Sequence, residues 1–368
     1  MMKIALVIPH FQASVGGAEG FAVSVTRELA LRGHNIHIVT ENGEKTDWVR
    51  LHELPLKETS RILDNLVPDV AVDWGLRVGA DLHRLGGGMH RAFLRYNLLG
   101  RSLPSRFLKH LEYLFAPKHR KTLAYQRDIC RGSETRFLAV SHFVAEQLHQ
   151  TGWVPSERIR VLHNGVDLER FKNEKMADFR DDTRARSGLK AHHVAFLFVG
   201  HNLGLKNFAL VDRVFRLYAD RVPNGRLVVM GKRNPKSKNP AVIYAGATSE
   251  PERYYAAADV LLHPTFFDAC SNAVLEALAC GLPVVTSDLN GSAEIIDNGN
   301  NGIVLPVVGV RGDIEHQWLN AIVRLTKDPA ERGRMGREAR VVAERHSMDR
   351  YVDQFEALLQ EIAAGSGR

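Results

Sequence analysis

Residues 260–286 constrain the fold more than any other stretch. The apolar run Val260-Leu261-Leu262 reads as a strand, and Pro264 stops it. From about Ser271 to Cys280 the residues favour a helix, and Gly281 closes it. Pro283-Val284-Val285-Thr286 reads as the next strand. The same alternation recurs along the chain. Lys3–Pro9, Asn35–Thr40, Val67–Val72 and Arg136–Val140 read as strands, and Ala18–Leu31 as a helix with Phe21, Val25 and Leu29 on one face. A second series starts near residue 190. Its strands are Val194–Val199, Leu227–Met230 and Val242–Tyr244, with a helix over Asn207–Arg221. Such alternation implies open, mostly parallel α/β sheets.

Two successive doubly wound units imply two domains with a site in the cleft between them. We expect a first Rossmann-like domain over 1–168, a second over 169–346 and an amphipathic last helix, within 347–368, returning to the first. A chain of 368 residues is long enough for two ordinary cores.

Composition narrows the function. A hydrophobic share of 45% suits a folded protein, and a net charge of +7 suits an anionic partner. No zinc-finger, RRM or KH signature points to nucleic acid. Three cysteines form no CxxC pair, and no HExxH motif gathers the 17 histidines. Ile4–Ile8 is too short for a signal-peptide core, and no apolar run reaches roughly 18 residues. The expectation is a cytoplasmic protein without a membrane span.

The chemistry gathers around Asp268 and Glu276, eight residues apart where a strand meets a helix. The first turn of a helix offers unpaired N–H groups, which suit phosphate. An acid before that turn and another inside the helix can bracket a ligand with phosphates at the helix start and hydroxyls on either side. A nucleotide-sugar has that layout. The plainer reading is a helix start with an acid nearby.

With Gly281-Leu282-Pro283-Val284 behind it, this pattern resembles the retaining glycosyltransferases of family 4, which have the GT-B fold: two Rossmann-like domains facing each other across a cleft. The family pattern carries Glu at both acidic positions, so Asp268 is one methylene shorter. The resemblance implies that Glu276 holds the ribose of a donor. It implies that Asp268 touches hydroxyls of the transferred sugar, and that the amides near Ser271, Asn272 and Ala273 face sugar and diphosphate. Asn164-Gly165-Val166-Asp167 is a further family mark, although alone it is also a plain Asn-Gly turn.

Other candidates follow from the same resemblance. Gly16-Gly17-Ala18-Glu19, between the first strand and its helix, lets backbone approach the donor diphosphate. Lys206, in Gly200–Asn207, matches a lysine on the donor pyrophosphate, where it would stabilise the departing nucleoside diphosphate. An arginine usual in that loop is missing, and Arg233 is the candidate to replace it. Asp81–Arg91, with Gly86-Gly87-Gly88, is similar to the acceptor loop of lipopolysaccharide-core glucosyltransferases. Gly87 stands where an Asp is usual, and His90 is the candidate to orient the acceptor or the sugar. Glu294, in Gly291-Ser292-Ala293-Glu294, matches a recurrent Gly-x-x-Glu.

Residues 101–127 are rich in bases: Arg106, Lys109, Lys118, Arg120 and Lys121. Phe107, Leu111, Leu114 and Phe115 recur at helical spacing up to Pro117. This stretch either lies on an anionic membrane surface or packs its apolar stripe on the first domain.

The resemblance implies a retaining hexosyltransferase. Its donor would be a nucleotide-sugar, UDP-glucose or a related UDP-hexose, and its acceptor a lipid-linked glycan such as lipopolysaccharide core. It would need no metal and no further cofactor, and would sit peripherally on the inner face of the cytoplasmic membrane. Two readings stay open: a UDP-sugar epimerase of the same fold, and a membrane-associated binding subunit without catalysis.

Overall fold

The computed structural model describes residues 1–12, 17–132 and 135–365, without the side chains of 173–175. By its contacts the chain divides into two compact units. The first comprises Met1–Leu94, Lys109–Gly165 and Met348–Arg368, and the second Arg95–Leu108 and Val166–Ser347.

The first unit holds a seven-stranded parallel sheet. Its strands are β1 (Lys3–Val7), β2 (Asn35–Thr40), β3 (Arg50–Glu53), β4 (Val70–Asp73), β5 (Leu82–Leu85), β6 (Arg136–Ala139) and β7 (Ile159–Val161). Their order is β3-β2-β1-β4-β5-β6-β7. The helix Gly17–Leu31 buries Phe21, Val25 and Leu29, and Gly33 closes it with φ of 86°. The helix Met348–Gly365 buries Tyr351, Val352, Phe355, Leu359 and Ile362 in the same core. Tyr351 meets the ring of Phe21 edge-on, with centroids 4.9 Å apart.

The second unit holds a six-stranded parallel sheet. Its strands are β8 (Val194–Val199), β9 (Gly225–Met230), β10 (Val242–Gly246), β11 (Val260–His263), β12 (Val284–Ser287) and β13 (Gly302–Leu305), in the order β10-β9-β8-β11-β12-β13. Fully buried strands read as continuous apolar runs, as Val194–Val199 does. Phe196, Phe198, Val211, Val214, Phe215, Trp318 and Ile322 form its core.

Three expectations change. The helix after β8 spans Phe208–Leu217 and is shorter than Asn207–Arg221, because Asn207 is left-handed and Tyr218 leaves the helical region. Arg95–Leu108 groups with the second unit rather than the first. The reason is packing: Tyr96 stacks on Phe267 at 5.4 Å, and Gly100 lies so close to the Phe266 ring that a Cβ there would come within 2.6 Å of it. Third, the Asp81–Arg91 stretch is a loop only over its glycines. Leu82–Leu85 is a buried strand, and His90 opens the helix His90–Tyr96.

Candidate functional site

In an open parallel sheet, ligands favour the carboxyl ends of strands where the order reverses, because neighbouring loops there turn apart. In the second unit that point lies between β8 and β11, which pair through Phe196 with Val260 and Leu197 with Leu261. From β8 the chain proceeds to β9 on one side, while β11 proceeds to β12 on the other. The loop after β8 carries Lys206, and the loop after β11 carries Asp268.

Close backbone approach shapes the first loop. Gly231, with φ of 159°, lies so near Gly200 that a Cβ would sit 2.2 Å from the Gly200 carbonyl oxygen, so only glycine fits. Lys232 N–H donates to His201 Nδ1 at 3.1 Å, which ties the loops after β8 and β9 together. Burial, and then the charges of Lys232 and Lys206, lower the pKa of His201. Arg233 lies on this edge with its side chain exposed, and it is not among the partners of Asp268.

Lys206 reaches Asp268. Its Nζ donates to Asp268 Oδ2, and His263 Nε2 lies 3.0 Å from the same oxygen. Burial opposes the charge of Asp268, but Lys206 and His263 more than offset it and hold the carboxyl well below the usual range. The side chains of Lys206 and Asp268 keep 20% and 18% of their exposure, so a ligand can reach both, whereas His263 keeps 2%.

The helix Asn272–Ala279 begins four residues beyond Asp268, and Ser271 is its N-cap without a side-chain capping bond. A buried polar relay braces this start. Ser271 N–H donates to Ser292 Oγ at 2.7 Å, Ser292 N–H donates to Asn290 Oδ1 at 3.0 Å, and Asn290 Nδ2 donates to Thr286 Oγ1 at 2.9 Å. The Ser271 amide is therefore engaged within the protein, while Asn272 and Ala273 form the first turn. Glu294 lies in the short 3-10 turn Gly291–Ile295 that follows the relay.

Glu276 sits one turn further into the helix. Tyr255 OH donates to its Oε2 at 2.6 Å and lies 3.3 Å from Ala273 O. Burial raises the Glu276 pKa, opposed by the Tyr255 hydrogen bond and by the charge of Arg170. Arg170 is itself paired with Glu252 at 2.8 Å.

The remaining candidates belong to the first unit. Gly16 lies outside the described residues, and Gly17 is the first residue of its helix. His90 Nε2 is 2.9 Å from His119 Nδ1, and its backbone N–H donates to Gln126 Oε1 at 3.0 Å. Burial, then His119, lowers its pKa, so the ring is neutral at pH 7.

The structure thus brings Lys206, Asp268, Ser271, Asn272, Ala273 and Glu276 to one edge of one sheet. Sequence reasoning missed His263 and Tyr255. The His-Pro step ending β11 was the available signal for the first; Tyr255, 21 residues from its partner, left none. Among the described residues, no three His, Cys, Asp or Glu side chains gather as a metal site. No described helix is long and apolar enough to cross a membrane.

Comparison with known proteins identifies the two halves. Residues 15–170 match the model of Glycosyltransferase Family 4, and residues 193–328 match that of Glycosyl transferases group 1. The lipopolysaccharide glucosyltransferase WaaG of Escherichia coli is 26% identical over 345 residues, covering 85% of this chain and 87% of that protein. A GDP-mannose-dependent alpha-mannosyltransferase of Mycobacterium tuberculosis is 27% identical, covering 93% and 94%. The D-inositol 3-phosphate glycosyltransferase of Streptomyces bingchenggensis is 28% identical over 60% of this chain, which spans about half (51%) of that relative's length. Among solved structures, WaaG superposes with a TM-score of 0.80 at 18% identity, covering 97% of this chain and 99% of that one. Anabaena HepE in complex with UDP-glucose gives 0.72 at 14% identity, covering 98% and 100%. Two parallel-sheet α/β units, two family models in succession and full-length likeness to WaaG place this chain among the GT-B glycosyltransferases of family 4.

Proposed function

We propose that this protein is a retaining hexosyltransferase that takes a sugar from a nucleotide-sugar, UDP-glucose or a related UDP-hexose, to a lipid-linked glycan such as lipopolysaccharide core. One observation carries the reading: Lys206 and Asp268 meet at the reversal point of the second sheet, beside the start of the Asn272–Ala279 helix. The helix start and Lys206 supply positive potential for a diphosphate. Asp268 accepts from sugar hydroxyls, and Glu276 from the ribose. Gly16, Gly17 and Arg233 add to the diphosphate side, and His90 orients the acceptor.

In this reading a donor diphosphate competes with Asp268 for Lys206. Once Lys206 turns to the phosphates, its charge opposes the negative charge that grows on the departing nucleoside diphosphate. The leaving phosphate accepts the proton of the incoming hydroxyl on the same face of the sugar. The chain contributes positioning and charge, without a nucleophile of its own.

The lipid-linked acceptor is supported by the helix Leu103–Phe115. Among its residues only Tyr113 is buried. Phe107, Leu108, Leu114 and Phe115 remain 63%, 67%, 52% and 74% exposed, so the apolar stripe is not packed away. Arg106, Lys109, Lys118, Arg120 and Lys121 lie along the same stretch. Exposed apolar side chains with bases along the same stretch suit an anionic bilayer surface, which supports a peripheral position on the cytoplasmic membrane.

The test is calorimetric binding of UDP-, GDP- and ADP-sugars to wild type and to Glu276→Ala. The expected result is binding of UDP-glucose, weakened at least tenfold in the variant. Absence of binding by any nucleotide-sugar would overturn the reading, and preference for a GDP-sugar would overturn the choice of base.

A further inference from the structure

We propose that His263 is a positioning residue: its Nε2–H holds one oxygen of Asp268, presents the other to a hydroxyl of the transferred sugar, and keeps that hold when Lys206 turns to the donor diphosphate. The inference rests on the donor site proposed above and assigns a role to a residue outside it.

The geometry is specific. His263 is the last residue of β11, five positions before Asp268, and its ring is almost wholly buried. Its Nε2 lies 3.0 Å from Asp268 Oδ2, the same oxygen that Lys206 contacts. An ionised carboxylate only accepts, so the ring proton must lie on Nε2. Burial and then the nearby Lys206 charge lower the His263 pKa, which keeps the ring neutral.

The backbone around Asp268 is clamped as well. Its N–H donates to Leu289 O at 3.3 Å, and its carbonyl accepts from Gly291 N–H at 2.9 Å. Thr286 Oγ1 donates to His263 O at 3.2 Å, so the segment from His263 to Asp268 is tied both to β12 and to the residues that follow it. With the main chain fixed, the freedom left to Asp268 is its side-chain torsion, and two contacts set it.

Those contacts differ in permanence. Lys206 is partly exposed on a flexible stem, and a diphosphate offers it more negative charge than Asp268 does. The imidazole is enclosed and rigid, and no incoming ligand competes for a buried donor. After Lys206 leaves, the Asp268 carboxylate would be left half-buried without a partner, a costly state for a charge. The Nε2–H bond meets that need. It also explains how Asp can serve here: the shorter side chain keeps the carboxylate near the end of β11, within reach of His263.

A merely structural histidine would sit in the same place, so the test needs a rescue. His263→Leu removes the donor at similar volume. His263→Gln carries an amide nitrogen that can occupy the position of Nε2. Calorimetric dissociation constants are measured for UDP and UDP-glucose, with GDP and GDP-mannose in parallel, and the pair that wild type binds is used. The expected result is that His263→Leu binds the nucleoside diphosphate within about twofold of wild type but the nucleotide-sugar about tenfold more weakly, as for loss of one oriented hydrogen bond. His263→Gln should restore most of that loss. If His263→Leu fails to fold, His263→Asn, whose shorter amide cannot reach Nε2, replaces it. Undiminished nucleotide-sugar binding overturns the inference while leaving the donor site intact. Equal weakening of both ligands, in both variants, overturns it in favour of a structural role. A wild type that binds none of the four compounds overturns the donor site itself.

Discussion

Arg84 and Tyr351, 267 residues apart, meet in the first unit: Arg84 Nε donates to the Tyr351 hydroxyl at 3.1 Å. The guanidinium is 1% exposed. It lies 4.3 Å from the Trp74 ring centroid and 4.9 Å from that of Phe21, and its Nη2 donates to Asn164 Oδ1. Aromatic faces and neutral oxygens solvate this buried charge. Tyr351→Phe removes one of those oxygens and should destabilise the first unit by about 1–3 kcal/mol, the usual cost of leaving a buried partner unsatisfied. Urea denaturation measures it, and a variant as stable as wild type would show that the hydroxyl contributes nothing to holding the charge.

Lys206→Ala should lower turnover roughly a hundredfold, as for loss of a group that stabilises transition-state charge. Because the same change frees Asp268, the variant should lose affinity for the nucleoside diphosphate as well. Near-normal turnover with a lipid-linked glycan acceptor would remove Lys206 from the leaving-group site.

Asp268 makes stability depend on acid. A carboxylate whose pKa is depressed on folding stabilises the fold above its ordinary value, 3.8 here, and loses that contribution as pH falls below it toward the folded value. Wild type should therefore exceed Asp268→Asn in stability at pH 6–7, and the gap should close as pH falls below about 4. Denaturant titrations of both proteins across that range test the sign. A gap that stays constant with pH would mean that the Lys206 and His263 contacts add nothing in solution.

Replacing Lys109, Lys118, Arg120 and Lys121 by Ser should abolish binding to vesicles of mixed anionic and zwitterionic lipid, while circular dichroism stays unchanged. Each base near an anionic surface contributes about 1 kcal/mol, so four together span about three powers of ten in affinity. Phe107→Ser with Phe115→Ser should weaken binding at high salt, where the charges are screened. Vesicle binding that survives both sets of changes would end the membrane reading.

Much of this molecule was legible in its sequence, for physical reasons. Val194–Val199 is apolar throughout because its strand is covered on both faces, so its limits could be read to the residue. Gly281 signalled its helix end because it takes φ of 68° there. The strand Leu82–Leu85 escaped notice because His83 and Arg84 break the apolar run. Both are buried all the same, His83 against Asp73 at 3.0 Å and Arg84 against Tyr351. At the candidate site, the acids were visible through their spacing, one before a helix start and one inside that helix. Their partners were harder to see. His263 approaches Asp268 through the turn after β11, and Tyr255 approaches Glu276 from the helix Pro251–Ala257. Periodicity reports which face of an element is buried, and it carries no information about which distant side chain that face meets.

The helix Met348–Gly365 sets an order on biosynthesis. The second unit ends at Ser347, so all of it has been translated before that helix is made. Phe21 and Trp74 are among the early residues to leave the ribosome, yet the rings that cover them, Tyr351 and Phe355, are among the late ones. The amino-terminal sheet thus waits, with part of its core wet, while the carboxy-terminal sheet matures. During that interval Phe21 and Trp74 lack the cover of Tyr351 and Phe355, and docking of the last helix is what closes the first core.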